Sequence, residues 1–298
     1  MILVIGEVLF DIFPDYRRLG GAPFNVAFHL RHFGLPVRFI SRVGNDPAGE
    51  EIRRLIAEKG FRADDIQIDK DHPTGSVRVD LDDNGVPKFS ITADVAYDHL
   101  ELNPATVSAL GDDIDMIYYG TLLQRTDSVH QMLQHLLNRK KPRSQCFYDI
   151  NLRPNCYNAH VIRDSLQHAD HVKLNQEELT TLKTMFGWSG APAEIVHRLM
   201  EVYALETVSL TKGERGSELF TGSGHYTAPP ADMVKVVDTV GAGDAYAAVM
   251  IAGFLQALPP AQILKAATQF AVRICEIEGA IPADHAVYDG IIDAGEHG

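Results

Sequence analysis

The sequence predicts an α/β fold, with a mostly parallel sheet covered by helices on both faces and a small β insertion over one edge. Three observations predict it. Short apolar runs, namely MILVI (1–5), VRFISRVG (37–44), MIYYG (116–120), QCFYDIN (145–151), HVKLN (171–175) and TVSLTKG (207–213), alternate with helix-length segments. That is the pattern of strands buried on both sides. Residues 74–93 instead alternate apolar with polar around Asn84-Gly85, a hairpin signal with one exposed face. Finally, no repeat, low-complexity tract or Pro/Gly/Ser-rich linker divides the chain, so residues 1–298 read as one domain.

MILVI is the first buried strand. After Gly20-Gly21 comes APFNVAFHLRHFG, where Pro23 suits a first helical turn and Phe24/Phe28 and Val26/Leu30/Phe33 recur at helical spacing. Gly34 is its C-cap. After the strand VRFISRVG, Asp46-Pro47 opens a second helix carrying Ile52, Leu55 and Ile56 and stopping at Gly60. The hairpin follows. Together with residues 11–20, its span of about 74–96 does not fit strand–helix alternation and forms the β insertion. Beyond Tyr97 the alternation returns, with a helix such as Ser128 to Asn138 between strands. GSELFTG (216–222) and HYTAP (225–229) form a second antiparallel pair.

Hydrophobic residues make up 45% and charged residues 22% of the chain, ordinary for a globular protein with ample core. The formal net charge of −13 repels a nucleic-acid backbone and an anionic membrane, so neither is an expected partner. Cys146, Cys156 and Cys275 are scattered without a CxxC, the usage of a reducing compartment. The start MILVIGEVLFDIF lacks a basic flank and contains Glu7 and Asp11, unlike a secretory signal. The longest apolar run, Ala245 to Leu258, is interrupted by Gln256 and too short to span a bilayer. A cytoplasmic location is the expectation.

The common nucleotide and metal motifs are missing. There is no GxxxxGK[ST], no HExxH, and only two glycines of GxGxxG at Gly241 and Gly243. His168-x-x-His171 lacks further ligands and reads as exposed polar histidines. VGAGDA (240–245) has its own logic. Small residues running into a helix gather backbone N–H groups into an anion hole at the positive end of the dipole. Asp244 beside that hole can take a proton from a hydroxyl, or it can simply cap the helix. A second glycine turn at Gly20-Gly21 enters a helix carrying Asn25, whose amide offers the donor and acceptor a sugar hydroxyl needs.

GEVLFD (6–11), GGAPFNVA (20–27) and DTVGAGD (238–244) together resemble the PfkB (ribokinase-like) carbohydrate kinases over essentially the whole chain. The resemblance implies a ribokinase-like three-layer sandwich with a small β lid, which covers the sugar and often contributes to homodimer contacts. It implies ATP and Mg²⁺ as cofactors and a small sugar as substrate. It places the catalytic base at Asp244, with the anion hole at Gly241, Ala242 and Gly243. Asp11, Gly21 and Asn25 match sugar-binding positions. Asn175 and Glu178 match the NxxE segment that serves Mg²⁺ through water. Thr211, Gly213 and Gly216 match the TxGxxG segment near the nucleotide, and Asp238 a position linked in many members to a monovalent cation such as K⁺.

GEVLFDIFP, GGAP and DINLRP resemble the fructokinase branch, implying ATP-dependent phosphorylation of a primary hydroxyl of fructose. The alternatives are 2-keto-3-deoxygluconate kinase, ribokinase-like activity, a catalytically silent sugar-binding regulator, and, disfavoured by the missing third glycine, a nicotinamide-dependent oxidoreductase. Arg153 of the D-x-N-x-R segment reads either as a contact to phosphates or an acidic substrate, or as a surface arginine. Two positions depart from the branch: Tyr157 stands where tryptophan is usual, and Phe24 where a small residue is usual. A Phe24 ring facing the sugar would shrink the pocket. Arg78 and Tyr97 in the insertion read as packing or solvated residues before specificity residues.

Overall fold

The computed structural model describes residues 1–81, 87–102, 113–229 and 235–292. The Asn84-Gly85 turn lies outside them. Strands β1 (Ile2–Ile5), β2 (Leu9–Ile12), β3 (Arg17–Gly20), β4 (Val37–Gly44) and β5 (Ile66–Asp69) come first. They are followed by β6 (Ser76–Leu81), β7 (Pro87–Ile91), β8 (Met116–Gly120) and β9 (Gln145–Asp149). The last are β10 (His171–Asn175), β11 (Thr207–Thr211), β12 (Ser217–Thr221) and β13 (Gly224–Ala228).

The main sheet runs β13-β12-β11-β10-β9-β8-β1-β4-β5. From β11 to β5 every pairing is parallel, while β12 and β13 are added antiparallel at the far edge. The apolar runs become central strands because both faces are covered. Along β1, Ile2 and Val4 enter one core and Leu3 and Ile5 the other. Helices Ala22–His32, Pro47–Glu58, Ala242–Leu255 and Pro260–Cys275 pack on the first face. Helices Asp127–Asn138, Ala159–His168, Gln176–Met185 and Pro192–Tyr203 pack on the second. This is the three-layer α/β sandwich, with β2, β3, β6 and β7 forming a separate four-stranded sheet ordered β3-β2-β6-β7.

Local signals act as expected at several joints. Asp46 caps its helix by accepting from Gly49 N at 2.8 Å, with Pro47 in the first turn. Helix Ala242–Leu255 is apolar all round and buried from Asp244 to Gly253, as a helix with no polar face must be. Among the described residues no helix is long and apolar enough to cross a membrane.

Two expectations change. Phe24 does not face a pocket: it is fully buried and packs against Phe28, Phe39 and Phe61 with ring centroids 5.7–6.4 Å apart. A helix residue preceding Asn25 is rotated by about 100° from it, which turns Phe24 into the core. His171 is not an exposed polar residue. It sits on a central strand, bonds Thr207 Oγ1 through Nδ1 at 3.0 Å and stacks on Phe254, and burial lowers its pKa to about 4.

Truncating Phe24 to alanine removes the centre of that aromatic cluster. We expect Phe24→Ala to cost about 3–5 kcal/mol of unfolding free energy. The check is a shift of the urea midpoint at unchanged slope.

Candidate active site

A cavity of about 420 Å³ opens where the parallel strands end. Asn151 follows β9, Asn175 ends β10 and Thr211 ends β11, and all three line it. Parallel sheets place their sites at this edge because every strand delivers its following loop there. The small sheet supplies the opposite wall through Leu9, Asp11, Arg18, Leu19, Val77 and Ile91.

The two glycine turns meet inside. Gly241 adopts φ 80, and a Cβ there would lie 2.2 Å from Ala280 Cβ, so only glycine fits this turn. It starts a helix whose Gly243 and Asp244 N–H groups precede the first intrahelical bond, Ala245 N to Gly241 O at 2.9 Å. Gly21 has φ 110, with Glu7 O 2.5 Å from where its Cβ would stand. It delivers Asn25, whose Nδ2 donates to Asp244 Oδ2 at 2.8 Å. Asn25 Oδ1 is buried with no partner among the described residues, leaving an acceptor for a hydroxyl.

Asp244 is buried and its pKa is raised to about 6. Loss of solvent is the main cause, opposed by the Asn25 bond and by the charge of Lys173. Asp11 on β2 is likewise raised to about 6, mainly by burial, and Glu7 to about 7. The structure thus gathers three carboxyls, with the charge of Asp244 raising Glu7 and Asp11 further, facing Arg153 at the rim. Arg153 lines the cavity, exposed and with no ion pair to another described residue, so it is not a salt-bridged surface arginine.

Deeper on the sheet, Lys173 Nζ contacts both oxygens of Asp149 at 2.9 Å. Burial works against its charge, but Asp149 and Glu178 outweigh that and raise its pKa. Glu178 Oε2 accepts from Asn175 N at 2.8 Å, and Asn175 Oδ1 accepts from Glu178 N at 2.9 Å, a reciprocal cap. Glu178 Oε1 accepts from Leu152 N at 2.9 Å, fixing the loop in which Asn151 takes φ 36. Both carboxylate oxygens keep a second lone pair, and Asn151, Asn175 and Thr211 add only hard donors. That set fits Mg²⁺ held through its waters, with Glu178 as the charged anchor.

Asp238 is arranged differently. Its Oδ1 accepts from Val240 N at 3.0 Å, and its Oδ2 accepts from Gly279 N at 3.0 Å and Arg18 Nη1 at 3.2 Å. The guanidinium places a positive charge beside this carboxylate, so these contacts satisfy Asp238 without calling for a monovalent metal ion.

Of the residues singled out from the sequence, Asp11, Gly21, Asn25, Arg153, Asn175, Glu178, Thr211, Gly241, Gly243 and Asp244 line this one cavity. Ala242 does not, and its N–H leans to Thr239 O at 3.4 Å, so the free amides are those of Gly243 and Asp244. Gly213 and Gly216 sit beyond the rim, shaping the β11–β12 turn through Lys212 N to Gly216 O at 2.9 Å. Tyr157, Arg78 and Tyr97 also lie outside the lining. Sequence reading passed over Glu7, Asp149 and Lys173. Glu7 stood within GEVLFD, and a charged residue inside each of the apolar runs QCFYDIN and HVKLN was the available signal.

The profile of the pfkB family carbohydrate kinases matches residues 15–286. A fructokinase of Klebsiella pneumoniae is 30% identical over 264 residues, covering 85% of this chain and 83% of its own. The solved sugar kinase PH1459 of Pyrococcus horikoshii, in complex with ATP, is 25% identical, with a TM-score of 0.81 and 94% of each chain covered. A structure provisionally assigned as a 2-keto-3-deoxygluconate kinase of Enterococcus faecalis, 20% identical, superposes with a TM-score of 0.82 over 98% of this chain and 97% of its own. Matched along nearly its whole length, with both glycine turns folded into one cavity, the chain belongs to the pfkB family of carbohydrate kinases.

Proposed function

We propose that the protein transfers the γ-phosphoryl group of ATP to a primary hydroxyl of a small sugar, with fructose the leading candidate. One observation carries this reading: the Asp244 carboxylate and the free amides of its own helix start face one cavity, with Asn25 bridging to the sugar side. The fructokinase relative and the ATP-bound relative support the substrate pair.

In this reading Asn25, Asp11 and Glu7 orient the sugar hydroxyls. Asn25 holds Asp244 Oδ2 by one bond, leaving the carboxylate's other oxygen for the attacking hydroxyl. Asp244 accepts the proton as the O–P bond forms, because a sugar hydroxyl is far too weak an acid to ionise beforehand. The Gly243 and Asp244 N–H groups, at the positive end of the helix, stabilise charge on the transferring phosphoryl group. Glu178 would hold Mg²⁺ through water, and the ion would neutralise phosphate charge that this anionic protein otherwise repels. The wall formed by the small sheet keeps water from competing with the sugar hydroxyl for the phosphoryl group.

A second reading, a kinase for an acidic sugar such as 2-keto-3-deoxygluconate, draws on Arg153 at the rim without a carboxylate partner. An ADP-release assay over fructose, ribose, tagatose and 2-keto-3-deoxygluconate discriminates the two. Fructose is expected to give the highest kcat/KM, and turnover with none of the four would count against both readings.

Removing the base alone is the direct test of mechanism. Asp244→Asn should lower kcat by about 10²–10⁴-fold while sugar binding by calorimetry stays near wild type. Near-normal turnover would sink the assignment. Stability should move the other way. Because burial raises the Asp244 pKa from 3.8 to about 6, the folded protein holds a proton that the unfolded chain releases, and ionisation costs stability as pH rises through that window. Asp244→Asn should therefore melt higher than wild type at pH 8, with the difference shrinking towards pH 4.

The same protonation should appear in the rate. The kcat/KM profile should fall on its acid side with a midpoint at about pH 6, set by Asp244 and steepened by Asp11. A flat profile down to pH 4.5 (about the ordinary carboxyl range) would contradict a buried base.

A further inference from the structure

Among the described residues two clusters bring two histidines and a carboxylate together, and neither lines the cavity. At the foot of the small sheet His72 and His99 stack with centroids 3.5 Å apart and planes 12° apart, beside Asp94. An imidazole binds a metal along a lone pair lying in the ring plane. Two nearly parallel stacked rings therefore cannot aim at one ion, and this cluster is a hydrogen-bonded stack.

The second cluster has the opposite geometry. His160 and Asp164 stand four residues apart on helix Ala159–His168, and His130 reaches across from helix Asp127–Asn138. His130 Nε2 and His160 Nε2 lie 3.0 and 3.4 Å from the same oxygen, Asp164 Oδ2. A tetrahedral Zn²⁺ with bonds of about 2.0–2.1 Å spaces its ligand atoms about 3.3–3.4 Å apart. Its two imidazole centroids then fall about 5.2 Å apart. Here they are 5.3 Å apart with planes at 69°, and the three candidate ligand atoms lie within 4.8 Å of one another, so this pair matches that spacing and lacks the parallel stacking that bars the first.

The buried side of the cluster is also built for a ligand. His130 is buried, and its Nδ1 bonds Gln124 Oε1 at 3.0 Å. The orientation of that amide is fixed because Gln124 Nε2 donates to Gly120 O at 3.0 Å. His130 Nδ1 therefore carries the proton and Nε2 is turned towards Asp164. A second hydrogen bond that sets the tautomer of a ligand histidine is the usual support of a metal site. Two ligands on one helix at i,i+4 and a third locked on its neighbour hold their spacing without loop rearrangement.

We infer that His130, His160 and Asp164 form a three-ligand site for a divalent transition metal of the zinc type, closed by water in the fourth position. The imidazole-rich donor set selects zinc, cobalt or nickel over magnesium and calcium. The ion joins two helices on the sheet face opposite helix Ala242–Leu255, so it acts as a staple and takes no part in phosphoryl transfer.

The test uses the full chain, tag-free and stripped of metal. Titration with Zn²⁺ should give one ion per chain at micromolar affinity and a rise in Tm. Co²⁺ should give the intense visible bands of a tetrahedral complex. The His160 side chain is 75% exposed, so His160→Ala folds. It should weaken zinc binding by at least about tenfold and abolish the cobalt bands. His99→Ala should leave both unchanged. The inference is overturned if wild type takes up no stoichiometric zinc, if His160→Ala binds as tightly, or if the loss follows His99→Ala.

Discussion

One hydrogen bond, from Asn25 Nδ2 to Asp244 Oδ2, joins two turns 219 residues apart. Each turn starts a helix in the same layer, and those two helices pack against each other over the first core. The bond therefore reports a rigid relation between two helix N-termini, one presenting an amide side chain and the other backbone amides. Any displacement of either helix along the sheet would separate them. Core packing that looks remote from the cavity, including the aromatic cluster around Phe24, is what keeps the pair in register.

The electrostatics of the cavity follow from that packing. Glu7, Asp11 and Asp244 are pushed up chiefly by burial, Glu7 and Asp11 also by the charge of Asp244, while Lys173 is held charged beside Asp149 and Glu178. An overall charge of −13 works against attracting a phosphate at long range. Amides at a helix start solve the difficulty differently, because they carry partial positive charge that does not titrate as local pH changes. The result is a site in which proton acceptor and anion hole are two ends of one peptide segment.

Much of this was legible in the sequence. The strand order could not be read, but strand–helix alternation gave the parallel sheet, because strands covered on both faces must be apolar throughout. VGAGDA and GGAPFN were readable because glycine there answers a backbone demand that leaves few substitutes. The direction of Phe24 stayed open since adjacency in sequence to Asn25 says nothing of direction on a helix. The Asp149–Lys173 pair was missed because a charge inside an apolar run looks like noise until its partner on another strand is known, and Glu7 had no signal of its own within GEVLFD. Ala242 and Gly216 matched motif positions, yet the backbone spends their polar groups on turns.

Arg18 of β3 bonds Asp238 and Glu278, so the wall opposite the sheet is fastened to the chain's last third. Synthesis runs from the other end. The small sheet and Asn25 leave the ribosome before the partners of Arg18 and of the Asn25 amide exist. Only when Asp238, Asp244 and Gly279 have emerged can the enclosure close. The enclosure is therefore completed only by the last third of the chain, the same part that supplies two of the helices covering one face of the sheet.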